Sequence, residues 1–333
     1  MRLFFKIPLA LAVLALFRAS PSGAIQSDSV VLRFGGDCLL AEHFERAMGE
    51  DIHRGFKNLE LLRTADIAMV NLECPVTTRG NRIPKPFNFR MNPLFLQSLT
   101  EAGIDVVNIA NNHIYDYDST GLFDTIRYLD SVKLNHVGAG RDRDEAHRPV
   151  VLRAGGKRFG FLGYYGGGEA PPAGATQPGV ARREIAAIAS DIMSLRLRDS
   201  TDYIVVNLHW GVEKATIPER AQVEFAHQVI DAGADVIIGH HPHVLQGIER
   251  YRSGIVAYSL GNLLFGGNSR SSYTTALLEV RVLEDSLSYQ LLPLRVDNWS
   301  VRSLGGIEGT ELTRSVEQLS IPHVPYSKGD KSR

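Results

Sequence analysis

The chain has 333 residues, of which 44% are hydrophobic and 22% are charged, and its formal net charge at pH 7 is −1. This composition is ordinary for a folded globular protein, and the length allows a core large enough to fold without a disulfide scaffold or a structural metal. The Lys and Arg residues are scattered rather than clustered, which argues against a nucleic-acid partner.

The N-terminus differs from the rest of the chain. Arg2 and Lys6 precede an apolar run over residues 7–17, and small residues follow it up to Ala24. This order is typical of a secretory signal, so we predict a signal peptide over residues 1–24 and an exported protein that is periplasmic or extracellular. An uncleaved membrane anchor is the alternative, although the apolar run is short for a membrane span.

From residue 28 onward, apolar runs rich in β-branched residues alternate with helix-like stretches. This alternation predicts a layered α/β fold with central sheets, in one domain over residues 28–320. Helices are predicted over residues 92–103 and 218–233, since proline often opens a helix and glycine often follows its end. The apolar runs cover residues 30–35, 67–72, 105–110, 159–164, 203–208 and 236–238.

Beyond residue 265 the pattern changes. Residues 274–282 and 287–296 alternate between apolar and polar side chains and flank a short polar turn, which predicts an antiparallel hairpin. Residues 321–333 are polar and contain proline, so we predict a loose C-terminal tail.

Polar residues of an unusual kind follow five of the predicted strands. In sheet proteins of this class, ligand sites form beyond the carboxyl ends of the strands, so these side chains are expected to meet at one edge. Oxygen and imidazole ligands without thiolates suit Zn, Mn or Fe, and a pair of such ions could activate water while polarising an ester or amide. The side chains concerned are Asp37, Glu73, Asn111, Asn112, His113, His209, His240, His241 and His243.

Three histidines in four residues, His-His-Pro-His, give the strongest single signal, since such a density rarely serves packing alone. Side chains alternate along a strand, so an extended segment would place His241 and His243 on one face, with Pro242 helping to hold it extended. Taken singly, Asp37 could be a helix cap and His209 a packed histidine. Their joint occurrence at consecutive strand ends is what predicts a metal site.

The motifs and their order resemble those of the poly-γ-glutamate capsule-synthesis (CapA-type) proteins, over residues 30–265. That family resembles the calcineurin-like metallophosphoesterases, which implies a four-layer α/β/β/α sandwich and a dinuclear metal site. The motifs are Gly36-Asp37, Asn71-Leu72-Glu73, Phe87-Asn88-Phe89-Arg90, Ala110-Asn111-Asn112-His113, Gly138-Ala139-Gly140 with Glu145-Ala146 and Pro149, His209-Trp210-Gly211, Gly239-His240-His241-Pro242-His243 and Tyr258-Ser259-Leu260-Gly261-Asn262.

The resemblance implies divalent metal ions as cofactors, one or two of them, of Mn, Zn or Fe. Typical metallophosphoesterases carry Asp-x-His on the first strand, whereas this chain has Asp37-Cys38-Leu39, and Glu73 replaces their bridging Asp. The first metal thus lacks one ligand. The implied ligands are Asp37 and His243 for the first metal, Glu73 as the bridge, and Asn112, His209 and His241 for the second.

The resemblance also implies roles in handling the substrate. His113 occupies the place of a histidine that protonates a leaving oxygen, a task that suits a group whose pKa lies near neutrality. Arg90 would hold a phosphate or carboxylate through its planar fork, with a surface or structural ion pair as the alternative. Asn111 and His240 are further candidates for substrate binding.

The two cysteines, Cys38 and Cys74, each follow a proposed ligand. They cannot form a thiolate metal site, because there is no second pair. A disulfide beneath the metal site and two buried reduced cysteines explain the sequence equally well.

Together these features predict an exported metal-dependent hydrolase or transferase. It would act on a phosphoester or amide in an envelope polymer, or in a phosphorylated or γ-glutamyl small molecule, with membrane-associated capsule synthesis machinery as a candidate partner. A non-catalytic polymer-handling or assembly factor with a degraded metal site is the first alternative. A periplasmic binding or sensing protein is the second.

Overall fold

The computed structural model describes residues 29–284 and 286–320. The predicted signal peptide over residues 1–24 and the predicted tail over residues 321–333 lie outside the described residues. Within the described ranges, no helix is both long enough and apolar enough to cross a membrane.

The described residues form sixteen strands and eight α-helices, with a short 3-10 helix over Pro93–Phe95. The strands are β1 (Val30–Leu39), β2 (Ile67–Leu72), β3 (Val106–Asn108), β4 (Asn135–Val137), β5 (Ala139–Gly140), β6 (Val150–Ala154), β7 (Lys157–Tyr165), β8 (Gly179–Val180), β9 (Tyr203–His209), β10 (Val236–His240), β11 (Ile248–Tyr251), β12 (Gly254–Ala257), β13 (Asn262–Phe265), β14 (Tyr273–Leu283), β15 (Ser286–Asp297) and β16 (Ser300–Ser303). The helices are α1 (His43–Met48), α2 (Glu60–Arg63), α3 (Leu96–Glu101), α4 (Asp118–Ser131), α5 (Arg143–Ala146), α6 (Ile185–Arg198), α7 (Arg220–Asp231) and α8 (Gly306–Leu319).

The larger sheet has eight strands in the order β16-β15-β14-β1-β2-β3-β4, and β13 pairs with β1 outside this path. The strands β1 to β4 pair in parallel. The strands β14 and β15 pair antiparallel from Tyr273 opposite Val296 to Leu283 opposite Ser286. The predicted hairpin is therefore confirmed, and each of its strands is slightly longer than the alternating pattern indicates.

The smaller sheet has six strands in the order β11-β12-β10-β9-β7-β6. Its four central strands run parallel, and the edge strands β6 and β11 are antiparallel to their neighbours. The strands β5 and β8 form a separate two-stranded sheet.

Three hydrophobic cores separate the layers of the fold. Phe34 and Met69 of the larger sheet pack with Phe161 and Val205 of the smaller sheet in a core between the two sheets. A second core lies between the larger sheet and the helices α1, α3 and α4. A third lies between the smaller sheet and the helices α6 and α7. The order is helices, sheet, sheet, helices, which confirms the predicted four-layer α/β/β/α sandwich.

The first strand continues past its predicted end at residue 35 as far as Leu39, and its pairing register shifts on both sides of Asp37. A Cβ on Gly36 would come within 2.0 Å of the Gly261 carbonyl oxygen, so only glycine allows this close approach. The Asp37 N–H donates to the same oxygen at 2.8 Å. A backbone contact between β1 and the residue before β13 thus fixes the position of Asp37.

Both predicted helices are present. The segment that starts at Asn92 begins as the 3-10 helix, continues as α3 and ends before Gly103, whose φ is +83°. The helix predicted after Pro218 is α7, which opens with a capping box between Glu219 and Gln222.

Candidate metal centre

The predicted ligands meet where the carboxyl ends of the two sheets lie side by side. The expectation that they share one sheet edge is therefore wrong. The alternation of strands and helices along the chain does not specify which strands share a sheet, and this is the reason for the error. The strands β1 and β10 belong to different sheets and pack against each other. The larger sheet contributes Asp37, Glu73 and Asn112, and the smaller one contributes His209, His241 and His243.

One group of ligand atoms belongs to Glu73, His209 and His241, and these atoms all lie within 4.8 Å of one another. The His209 Nε2 is 4.0 Å from Glu73 Oε1. The same nitrogen is 2.9 Å from Asn112 Oδ1, a hydrogen-bond distance that two ligands of one ion would also have. The structure thus brings together the four residues implied for the second metal.

A second group consists of Asp37, Glu73 and His243, whose ligand atoms also lie within 4.8 Å of one another. The His243 Nε2 is 3.5 Å from Glu73 Oε1. Its Nδ1 is 2.9 Å from Asn262 Oδ1, which can only accept, so Nδ1 carries the proton and Nε2 is available as a ligand. Glu73 belongs to both groups, so it is the residue that would be shared by two ions.

Two buried atoms of these groups fit a bound cation. Glu73 Oε1 and His241 Nδ1 have no hydrogen-bond partner among the residues that the structure describes. A buried polar atom without a partner is costly, and a divalent ion would satisfy both atoms. Carboxylate, amide and imidazole donors are those that Zn, Mn and Fe accept. The residues present therefore fit one or two divalent metals, and the identity of the metal stays a prediction.

Burial and neighbouring charge shape the protonation of the ligands. Burial raises the pKa of Glu73 well above its ordinary value, and the Asp37 charge raises it further. Burial alone would raise the pKa of Asp37 as well, but the His240 and His243 side chains outweigh it and hold that pKa well below its usual range. Burial also lowers the pKa of His209, which keeps the imidazole in the neutral form that binds metals.

Asn71 holds the two carboxylates in place, and our sequence reasoning did not assign it to the site. Its Nδ2 donates to Asp37 Oδ1 at 2.9 Å and to Glu73 Oε2 at 3.1 Å. Its Oδ1 in turn accepts from Asn108 Nδ2 at 2.9 Å. The available signal was its place two residues before Glu73, because residues two apart on a strand share a face.

The segment between His240 and His243 is a turn, which corrects the prediction of an extended segment. The φ angles of His241 and His243 are +97° and +57°, in the left-handed region that non-glycine residues seldom adopt. The His241 N–H donates to Asp37 Oδ2 at 3.2 Å. The two rings lie 6.1 Å apart, so each histidine serves a different group of ligands. Strained backbone of this kind is typical of functional sites.

His113 lies beside the ligands with a carboxylate partner that sequence reasoning missed. Its Nδ1 is 2.7 Å from Asp116 Oδ2, and its ring packs on Phe89. Asp116 is fully buried and pairs with Lys85, whose ammonium donates to the Asn112 carbonyl at 2.7 Å. Burial lowers the pKa of His113, and Asp116 opposes this shift. The spacing of three residues between His113 and Asp116 was the available signal.

The three residues predicted to bind substrate lie in different surroundings. Arg90 is exposed, and its guanidinium lies 4.7 Å from the centre of the Tyr117 ring. Asn111 is fully buried, and its Oδ1 accepts from the His113 N–H at 3.1 Å, so it positions His113 rather than facing a substrate. His240 is also buried, and its Nδ1 lies 3.5 Å from Asp37 Oδ1. It therefore contacts a proposed metal ligand rather than an open substrate site.

The two cysteines are free thiols, both fully buried. Burial raises the pKa of Cys38 and of Cys74 far above the usual range, so both stay protonated and inert. Of the two alternatives, the structure has the buried reduced cysteines. Leu39, at the third place of Asp-x-His, packs in the core between the larger sheet and its helices, so this position adds no ligand to the first group.

Comparison with known proteins gives one family. Residues 31–267 match the family model described as bacterial capsule synthesis protein PGA_cap. The capsule biosynthesis protein CapA of Bacillus anthracis is 29% identical over 321 residues, which cover 92% of this chain and 77% of that protein. A probable polyglutamine synthesis accessory protein of Mycobacterium tuberculosis is 31% identical over 278 residues, which cover 77% of this chain and 72% of that protein.

A solved structure is also similar. A hypothetical protein from Thermus thermophilus superposes with a TM-score of 0.54 at 17% sequence identity, over 80% of this chain and 100% of that one. At this identity the likeness supports the fold alone.

Proposed function

Because the chain belongs to the bacterial capsule synthesis protein PGA_cap family, we propose that it is a metal-dependent hydrolase-type protein acting in the synthesis of a capsule polymer. The motif-based resemblance to CapA-type proteins is confirmed at the level of the family. The proposed substrate is an envelope polymer such as poly-γ-glutamate, or a phosphorylated or γ-glutamyl small molecule. The reaction is hydrolysis or transfer at a phosphoester or amide.

The observation that carries this proposal is the shared position of Glu73 between two groups of ligand atoms. The atoms of each group lie within 4.8 Å of one another, and one Glu73 oxygen is buried without a hydrogen-bond partner in the described part of the chain. A purely structural role would leave this carboxylate hydrogen-bonded. Divalent metals supply Lewis acidity toward an ester or amide oxygen and activate water for attack.

The chain's own residues provide the handling of protons. Asp116 accepts from His113 Nδ1, which orients the ring and favours its doubly protonated form. In that form the Nε2 proton would pass to a departing oxygen and leave a neutral imidazole. Lys85 pairs with Asp116 and also binds the Asn112 carbonyl, so it links the proton donor to a ligand of the second metal. Asp116 and Lys85 are thus positioning residues for His113.

The test combines metal analysis with a substrate screen. We expect protein purified without chelator to hold Mn, Zn or Fe, and to cleave at least one of a set of phosphomonoesters, phosphodiesters and γ-glutamyl amides. Asp37→Ala is the control for background activity. Protein that holds no divalent ion, and gains none on soaking, would contradict the proposal.

A second candidate function is a non-catalytic assembly factor. The observation in its favour is that Leu39 is buried in the core at the place of a metal-binding histidine, so the first metal lacks a ligand. His113→Ala separates the two functions. A catalytic role predicts that the variant makes no capsule polymer, and an assembly role predicts that polymer production is unchanged.

The cellular location is part of the proposal. The basic start and short apolar run support export and cleavage after Ala24, to the periplasm or beyond, with an uncleaved anchor as the alternative. Membrane-associated capsule synthesis machinery is the proposed partner. Sequencing the N-terminus of the protein isolated from its host distinguishes cleavage from anchoring.

A further inference from the structure

A cleft of about 350 Å³ adjoins the candidate metal centre. His243, a proposed ligand of the first metal, lines this cleft. Asn262 lines it as well, and its Oδ1 accepts from His243 Nδ1. The size lies at the lower end of the range for small-molecule sites. A substrate bound at the metals would therefore extend into this cleft or border on it.

The lining of the cleft is cationic, and the carboxylates of Asp37 and Glu73, which contact His243, do not belong to it. Lys214 and Arg270 line it, and none of the residues that line it is acidic. In the described part of the chain, neither cation forms an ion pair or a side-chain hydrogen bond, so both can bind a ligand. The Lys214 N–H donates to the Pro242 carbonyl at 2.8 Å, which ties this cation to the turn that carries the metal-binding histidines.

Hydroxyl groups in the same cleft point to an acceptor ligand. Thr275 Oγ1 is buried and has no hydrogen-bond partner among the residues described. The Tyr273 hydroxyl accepts from the Phe265 N–H at 3.1 Å, and burial raises the pKa of this phenol, so its own proton remains to be donated. The lining thus offers two cations and two hydroxyl donors, and it contains no acidic residue. Such a set of groups favours the binding of an anionic ligand, either a carboxylate or a phosphate.

We propose that this cleft binds an anionic group of the substrate, a carboxylate or a phosphate, next to the group that reacts at the metal centre. The inference rests on the proposed function for the identity of the reacting group, and it adds that the substrate must carry a second, negatively charged group. Lys214 and Arg270 are the specificity-determining residues, and Thr275 completes the site. Arg90, the residue predicted from sequence for this task, is not among the residues that line the cleft.

The experiment is calorimetric titration of the purified chain, both as isolated and after chelation of its metals. The probes are γ-L-glutamyl-L-glutamate, the same dipeptide with its carboxyl groups amidated, and inorganic phosphate. We expect the acidic dipeptide or phosphate to bind the chelated protein, and the amidated dipeptide not to bind. Lys214→Met and Arg270→Met should each weaken this binding about tenfold.

Two further variants separate this site from general electrostatics and from folding. Arg198→Met removes an exposed cation at the end of α6 and should leave the affinity unchanged. Thr275→Val removes a hydroxyl that bonds nothing in the described residues, so the midpoint of urea unfolding should not fall while anion binding weakens.

The cleft proposal is overturned if Lys214→Met and Arg270→Met bind the anionic probes to within about twofold of the original chain, or if the amidated dipeptide binds equally well. Metal analysis distinguishes failure of the cleft proposal from failure of the proposed function. A chain that binds anions here but holds no metal contradicts the proposed function alone. A chain that holds metal and cleaves neutral and acidic substrates equally contradicts the cleft alone.

Discussion

The two halves of the candidate metal centre share Glu73 but differ in the hydrogen bonds that the protein supplies to their other proposed ligands. In the first half, both oxygens of Asp37 have partners within the protein, Asn71 at 2.9 Å from Oδ1 and the His241 N–H at 3.2 Å from Oδ2. In the second half, the Nδ1 of His241 is buried without a partner in the described residues. The first half is therefore largely satisfied by the protein, whereas the second half is left incomplete.

The chemical types of the ligands therefore do not by themselves predict how tightly each half would bind a metal ion. The first half also lacks a side chain where Leu39 packs into the core. The second half has Asn112 at 2.9 Å from His209 as a further ligand. We expect the second half to hold its ion more tightly. Two predictions test this asymmetry directly, a third tests the proton donor beside the second half, and a fourth provides a comparison with a carboxylate that needs no metal.

The largest effect is expected from His209→Ala, which removes a ligand of the second half. Metal affinity should fall by more than about 100-fold, since even residues that only support a ligand contribute 10–100-fold. Isothermal titration with Mn and Zn measures it. His53→Ala is the matched control, because His53 pairs with Glu101 away from the centre. Unchanged affinity in His209→Ala would break the assignment of the second half.

Asp37→Asn tests the first half. It keeps the shape of the side chain but removes the charge that a metal needs, so the bound stoichiometry should fall from two ions to one. The affinity of the remaining ion should change by less than about tenfold. Elemental analysis of the dialysed variant provides the count. Loss of both ions would show that the halves are not separable.

Asp116→Asn tests the proton donor next to the second half. The amide still contacts His113 but no longer stabilises its charged form, so kcat should fall by about 100-fold, the lower end of what a general acid contributes. Metal content and KM should stay unchanged, because Asp116 is not a ligand. A loss of metal in this variant would show instead that Asp116 and Lys85 support Asn112.

The smallest effect concerns a carboxylate that the protein satisfies without any metal. Asp124 accepts hydrogen bonds from Arg79, Thr77 and Arg127, which hold its pKa at about 2. Because this pKa is lowered from 3.8, the stabilisation is present above pH 3.8 and is lost as the pH falls toward 2. Asp124→Asn should therefore lower the free energy of unfolding by about 1–2 kcal/mol at neutral pH.

Urea unfolding at several pH values checks this last prediction. The difference between Asp124→Asn and the original chain should shrink as the pH approaches that lowered pKa. Chelation of metals should leave the difference unchanged, in contrast to the effects of variants in the metal centre.

Local patterns in the sequence predict most of the framework. The run at residues 67–72 coincides with β2, and the alternation after residue 272 coincides with the β14–β15 hairpin. The family motifs contain all six proposed ligands, and the structure brings these residues together. These features depend on residues close together in the sequence or belong to a family motif. They can therefore be predicted without knowing which strands are neighbours.

The features that the sequence does not predict depend on contacts between distant residues. The meeting of the two sheets is one, because hydrophobic alternation does not specify strand order. The left-handed backbone at His241 and His243 is another, and at His241 it accompanies a hydrogen bond from the N–H to Asp37, which is far away in the sequence. Lys214 and Arg270 lie in loops far apart in sequence, and nothing in either loop indicates that they line one cleft.

The candidate metal centre lies where the two sheets meet, so the packing of the sheets would set its preference among metals. The larger sheet supplies the carboxylates and Asn112, and the smaller sheet supplies the three histidines, so the spacing between ligands depends on how the sheets pack. Met69 and Val205 lie in that intervening core and are not themselves ligands. Changes in the volume of such core residues would move the imidazoles relative to the carboxylates. Related chains could thus change their metal preference through apolar substitutions alone, with every ligand retained.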